Sequence, residues 1–319
     1  MLRANSISRT AISSPLYSRG SGILTSPLGQ IPNNPLELVN LGPLMELSKG
    51  RADTIIGLID GPVAIGHPSL QQTSIREIPG KLTGTCASAQ SFACIHGTLV
   101  AGILGAERGS AAPAIAPDCT LLIRPIFGDL SAFSGEMPGA TPTELAEAII
   151  DCVSHGAQVI NLSAALSRPT ARDASRVVQA LDYCGKRGVI VVAAAGNQGT
   201  VGSSSITRHP WVIPVVACDP GGRAIGYSNL GNSIGRRGLT APGLAITSLG
   251  VDGNPREFGG TSAAAPFVTG TLALLYSIFP NASPSEIKSA ALSGGRVRRS
   301  SIVPALLDAS AAYHILQNR

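Results

Sequence analysis

Three features of the sequence predict an α/β fold in three layers, a doubly wound and mostly parallel sheet with helices on both faces. Short runs of Ile, Val and Leu alternate with stretches of helical length. The short runs are apolar without a break, as a strand buried on both faces requires. Glycine (37 residues) and proline (23) punctuate the chain between them.

The elements follow in order. Residues 1–50 are rich in Ser, Pro, Asn and Gly and read as a leader or surface arm with one short helix in "PLELVNLGPLMELS". Residues 51–319 read as the folded domain. Its strands are "TIIGLID" (54–60), "TLLIRPIF" (120–127), "AQVINLS" (157–163), "VIVVAAAG" (189–196) and "WVIPVVAC" (211–218). Its helices are "HGTLVAGILGA" (96–106), residues 141–156 with Thr143 as cap and Gly156 as stop, and residues 171–188, which close on Lys186, Arg187 and Gly188. A small-residue helix follows "GGTS", where Thr261 or Ser262 offers a cap. "SPSEIKSAAL" and "PALLDASAAYHIL" read as two peripheral helices.

Composition excludes several classes. Apolar residues are 44% of the 319, charged residues 13%, and the net charge of +5 collects near the ends, at Arg3, Arg9, Arg19, Arg51, Arg296, Arg298, Arg299 and Arg319. Without a basic stripe interleaved with aromatics, nucleic acid is not an expected partner. No apolar run has transmembrane length and the start has no apolar signal core, so no membrane association and a cytoplasmic location are expected. None of the six cysteines forms a CxxC pair. Most read as reduced, buried small hydrophobes, with Cys86 and Cys94 closest because they share a loop. The 19 carboxylates are scattered, so no metal, calcium included, and no other cofactor is expected.

In a parallel sheet, chemistry gathers at the carboxyl ends of the strands. There the sequence puts Asp60, the segment from Asn161 to Ala165, and Asn197, while His96 and Ser262 open helices. A serine hydroxyl attacks only when a histidine takes its proton, and the histidine needs a buried carboxylate to fix its tautomer. A developing oxyanion needs donors such as an asparagine amide and a backbone N–H at a helix start. Asp60, His96, Asn197 and Ser262 fill these roles. Asn161 reads as a structural polar residue, and His67, His155 and His209 as solvated or capping ones.

"HGTLVAGILG", "AAAGNQG" and "GGTSAAAPFVTG", in this order after a strand ending in Asp60, resemble the hallmark segments of the subtilases, the subtilisin-like serine proteases. The resemblance covers roughly residues 54–279. It implies Ser262 as nucleophile, His96 as base and then acid, Asp60 as its orienting carboxylate, and Asn197 with the Ser262 N–H as oxyanion donors. It also implies that "VINLSAAL" pairs with the substrate backbone. Leu162, Ser163 and Ala164 then border one side of the specificity pocket, and Ala194, Ala195 and Gly196 the other. Two departures stand out. The family aspartate is usually followed by Thr or Ser and then Gly, where this chain has Gly61-Pro62, and Ala164-Ala165 replace the usual Leu-Gly. "DGPV", "PDCTLLIRPIF" and "TPTELAEAI" further resemble the cyanobactin-type proteases. These trim ribosomally made precursor peptides inside the cell, which implies a peptide substrate and other natural-product enzymes as partners. A broad degradative subtilase and a weakly active peptide-binding scaffold remain open alternatives.

Overall fold

The computed structural model describes residues 2–4, 34–128, 139–166, 171–295 and 301–319. Strand β1 is Leu2–Ala4. Helices α1 (Pro35–Leu38) and α2 (Gly42–Leu47) precede β2 (Ile55–Asp60), β3 (Ile75–Glu77), α3 (Phe92–Gly105) and β4 (Thr120–Pro125). Then come β5 (Gly139–Ala140), α4 (Pro142–Ser154), β6 (Val159–Leu162), β7 (Ala164–Leu166), α5 (Ala171–Arg187) and β8 (Ile190–Ala194). They are followed by α6 (Ser205–Arg208), β9 (Val212–Cys218), α7 (Asn232–Arg237), β10 (Leu239–Pro242), β11 (Ile246–Leu249) and β12 (Pro255–Phe258). The chain ends through α8 (Thr261–Ile278), α9 (Pro284–Gly294), β13 (Ala305–Leu306) and α10 (Ala309–Gln317).

Eight strands form one sheet in the order β13-β10-β9-β8-β6-β2-β4-β3, and every pairing in it is parallel. The unbroken apolar strands are explained by the two faces. On β2, Ile56 and Leu58 join the core under α3 and α8, while Ile59 joins the core under α4 and α5. On β6, Val159 goes to the first face, and Ile160 and Leu162 go to the second. Connections leave β2 on both sides, toward β4 and toward β6, so the carboxyl end of β2 lies where the winding reverses.

The arm is more than a surface strap. α1 and α2 replace the single expected helix, because Asn40 turns the chain at φ 50°. Val39, Leu41 and Leu44 are buried in the main core. Arg108 donates to the carbonyls of Met45, Ser48 and Ile115, which clamps this stretch down. The leader reading falls on residues 5–33, outside the described residues.

Several expectations shift. α3 begins at Phe92 because the Ser91 hydroxyl caps it by accepting from Cys94 N; His96 therefore sits in the second turn and does not open the helix. The cap of α4 is Thr141, not Thr143. Only Thr141 stands three residues before Glu144, and the two exchange bonds in a capping box. Ala305 and Leu306 are the edge strand β13, so the last helix starts only after Asp308. The short strands β3, β10 and β13 and the β11–β12 hairpin carried no apolar run long enough to read as strands. Helix α8 is long and apolar enough to cross a membrane, yet 94% of it is buried, as in a core helix.

Cys86 and Cys94 form a disulfide, and Cys119, Cys152, Cys184 and Cys218 are buried and outside any disulfide. Burial pushes the Cys119 thiol up to about 11 and the Cys184 thiol to about 12, so both stay protonated and inert.

Candidate active site

Asp60 ends β2 with no exposure, and His96 on α3 retains 1%. His96 Nδ1 lies 2.7 Å from Asp60 Oδ1, which also accepts from Gly61 N at 2.7 Å. The contact is made by close backbone packing. A β-carbon on Gly61 would fall 2.0 Å from the Ala93 carbonyl oxygen, and one on Gly97 would fall 2.4 Å from that of Pro62. Only a pair of glycines lets the helix come this near to the strand end. This accounts for the "Asp-Gly-Pro" departure: no Ser or Thr fits at position 61. One consequence is visible on the carboxylate, whose Oδ2 is buried without a hydrogen-bond partner among the described residues. The edge of His96 meets Phe258 at the end of β12, with ring centroids 6.2 Å apart.

Ser262 lies in the first turn of α8 at 1% exposure. The helix cap is not its hydroxyl nor that of Thr261. Gly260 holds the cap position at φ 102° without a side-chain bond. Asn197, from the loop after β8, fills the gap: its Oδ1 accepts from Thr261 N at 2.9 Å and Thr261 Oγ1 at 3.0 Å. A backbone N–H can only donate, so the atom facing it must be the oxygen. The Asn197 amide group is thereby fixed as the outward donor end. It packs against Gly260, where a β-carbon would fall 2.6 Å from Nδ2. Gly196 N in turn donates to Thr261 Oγ1 at 3.1 Å. The loop bearing Asn197 and the helix bearing Ser262 are thus stitched together.

Asn229, which sequence reasoning passed over, fastens that loop from the other side. Its Oδ1 accepts from Gln198 N and Thr200 N, each at 3.1 Å, and its Nδ2 donates to the Ala195 carbonyl at 3.2 Å. Gly196 is glycine for this reason: a β-carbon there would fall 2.3 Å from Asn229 Nδ2. The only sequence signal was an asparagine in a turn-like "YSNLG".

The expected pocket residues divide. Leu162 pairs with Ala193 across the sheet and is buried in the core under α4 and α5, so only its backbone reaches the site. Ser163 is buried, its hydroxyl accepting from Asn161 Nδ2 at 2.8 Å. Ala164 starts β7. Ala194 ends β8 and Ala195 N donates to Val215 O at 2.9 Å, which keeps the backbone in register with β9 up to Gly196. Asn161 also accepts from Thr269 Oγ1 of α8 at 2.8 Å, so it is satisfied by side chains and not by backbone. His67, His155 and His209 all stand at helix caps, and His209 also accepts from Trp211 N beside Asp182. Of these three, His67 and His209 are buried rather than solvated. Among the described residues, no three His, Cys, Asp or Glu side chains cluster as metal ligands.

Residues 51–295 match the model of the subtilase family. The chain is a subtilase. Subtilases are serine endopeptidases, and the Asp, His and Ser of the hallmark segments recur here in the family order. The chain is 29% identical to subtilisin DY of Bacillus licheniformis over 243 residues, which are 75% of this chain and 82% of that one. Among solved structures it is similar to the protease domain of PatA, with 29% identity, a TM-score of 0.76, and 84% of this chain and 97% of that one covered. It is also similar to the prenylagaramide maturation protease PagA, with 28% identity, a TM-score of 0.75, and 86% and 98% covered.

Proposed function

We propose that this subtilase hydrolyses peptide bonds through Asp60, His96 and Ser262, and that its substrates are ribosomally made precursor peptides matured inside the cell. The observation that carries the first half is the buried Asp60–His96 pair at 2.7 Å beside an asparagine amide oriented by the nucleophile's own helix. Asp60 holds the proton of His96 on Nδ1, which leaves Nε2 as the base for the Ser262 hydroxyl. Ser262 Oγ attacks the scissile carbonyl, and the oxyanion is held by Asn197 Nδ2 and the Ser262 N–H. His96 then protonates the leaving amine. Water, deprotonated by the same histidine, releases the acyl group and restores the serine.

The similarity to PagA, a maturation protease by name, supports the second half. An extended precursor peptide pairs through its backbone with β7, and the other enzymes of a natural-product pathway act on the same peptide. Replacing Ser262→Ala is expected to lower kcat by about 10⁵-fold to 10⁶-fold, the scale that subtilisin's own triad shows, while the protein still binds peptide. Turnover at the wild-type rate in that variant would overturn the assignment. The substrate class is read by offering a cyanobactin-type precursor peptide beside a panel of unrelated denatured proteins. Selective cleavage of the precursor is expected, and indiscriminate digestion would point to a degradative subtilase.

A further inference from the structure

The disulfide between Cys86 and Cys94 stands where Asp60 and His96 are brought together. Cys94 lies in the first turn of α3, two residues before His96, and its N–H donates to the Ser91 hydroxyl that caps the helix. Cys86 lies in the loop that leads into α3. Its N–H donates to the Val63 carbonyl at 3.2 Å, and Val63 N donates to the Gly84 carbonyl at 2.8 Å. Val63 follows Asp60 by three residues. Thr98 completes the junction: its Oγ1 accepts from Ala64 N at 2.9 Å and lies 3.8 Å from Cys86 Sγ. One covalent bond therefore ties the segment after Asp60 to the helix that carries His96.

The two sulfurs are placed differently. Cys94 is fully buried, whereas Cys86 is half-buried and lines a cavity of about 540 Å³, a size ordinary for a small-molecule site. Three segments enclose the cavity: residues 64–68 after β2, residues 85–89, and residues 251–253 at the turn between β11 and β12. Its lining contains none of Asp60, His96 and Ser262. Ile65, Ala87 and Val251 make apolar wall, and His67 adds a polar anchor. His67 is 8% exposed and its Nδ1 accepts from Ser69 N at 3.1 Å, so its ring proton sits on Nε2. That nitrogen is buried without a hydrogen-bond partner among the described residues. A neutral N–H of this kind suits a carbonyl or carboxylate oxygen of an occupant. Cys119, Cys152, Cys184 and Cys218 are buried elsewhere.

We propose that Cys86 is a thiol-exchange site: a small peptide thiol enters this cavity, attacks Cys86 Sγ and frees Cys94, which loosens the start of α3 and lowers activity. The incoming thiolate forms a new S–S bond to Cys86 while the Cys86–Cys94 bond breaks, and the electron pair leaves on the Cys94 sulfur. Cys94 leaves readily because its sulfur stands in the first turn of a helix, where the dipole favours a thiolate. A second thiol attacks the sulfur of the added group, departs with it as the oxidised dimer, and returns Cys86 as a thiol. Two thiols thus supply the two electrons that reduce the bridge, and the protons they give up end on Cys86 and Cys94. The effect on activity rests on the role proposed above for His96; the exchange itself does not.

The test incubates the full chain with reduced glutathione, traps thiols with iodoacetamide and maps both by mass spectrometry. A glutathione adduct on Cys86 and alkylation of Cys94 are expected, with the other four cysteines unmodified. Val251→Trp, which narrows the cavity, is expected to slow the glutathione adduct about tenfold and to leave exchange with mercaptoethanol unchanged. No exchange, an adduct on Cys94, or modification spread over all six cysteines would overturn the site. Equal rates for both thiols in Val251→Trp would overturn the cavity as the way in. Reduction is expected to lower peptide turnover about tenfold, reversibly with oxidised glutathione, and to accelerate hydrogen exchange only within residues 85–98. Full turnover with both cysteines alkylated, or faster exchange across the whole sheet, would overturn the switch. If no state of the protein turns over peptide or takes a fluorophosphonate at Ser262, the serine-protease reading fails, while the adduct map still decides the exchange site.

Discussion

Helices α3 and α4 flank the same strand, β2, from opposite faces, and they are attached to it in different ways. α4 is an ordinary amphipathic helix. Leu145, Ile149 and Cys152 face the sheet, Glu147 and Ile150 face solvent, and a capping box and an ion pair from Arg124 to Asp151 at 2.8 Å finish it. α3 is buried on nearly every side, between the sheet and the β11–β12 hairpin. It docks through glycines: Gly97 against the Pro62 carbonyl, and Gly102 against Ser248, whose hydroxyl donates to the Leu99 carbonyl at 2.7 Å. Side-chain packing tolerates adjustment of a few tenths of an ångström, whereas backbone against backbone does not. The helix that carries His96 is the one given no slack, as the role proposed for its hydrogen bond to Asp60 requires.

This contrast can be broken most directly at Gly97. Gly97→Ala forces a methyl to within 2.4 Å of the Pro62 oxygen and has to push α3 from the strand end. We expect kcat/KM to fall by about a hundredfold or more on a peptide substrate. If the activity per folded molecule stayed at the wild-type level, the close docking would have no catalytic purpose.

Asn229→Ala sharpens the same idea on a loop. It removes the anchor of residues 195–200 without touching the reacting atoms. We expect kcat to drop about tenfold at nearly constant KM, with partial recovery in Asn229→Asp, which keeps the acceptor oxygen. An equal rise in KM would mean that Asn229 shapes the pocket and does not position Asn197.

The smallest effect is expected on the opposite face. Thr141→Ala removes one half of the α4 capping box and should cost about 1 kcal/mol of stability in chemical denaturation. Activity of the folded enzyme should be unchanged. A comparable loss of activity would erase the distinction between the two helices.

The parallel sheet and the four candidate residues were legible in the sequence because their signals are local. An unbroken apolar run marks a strand buried on both faces, and His96, Asn197 and Ser262 each sit in a glycine-rich neighbourhood that few other purposes demand. The positions that hold them were less legible. Nothing near Asn229 announces that it bonds to a loop some thirty residues earlier in the chain, and Asn197 serves as the cap of a helix far along the chain, where sequence alone offers only Thr261 or Ser262. The start of α3 and the cap of α4 were displaced by a few residues because apolar periodicity locates a helix better than its ends. β1 was invisible because three residues in a polar leader carry no strand signal of their own; their partners supply it.

The buried amide of Asn161 touches two neighbours, Ser163 beside β7 and Thr269 on α8. Viewed as heredity, these three positions form a single character. Losing either hydroxyl strands an atom of the buried Asn161 amide, which costs about 1–3 kcal/mol, so a change at one site invites compensation at the others. The stretch that leads into β7 and the helix α8 are therefore tied through one buried side chain, and a change beside either is felt by the other.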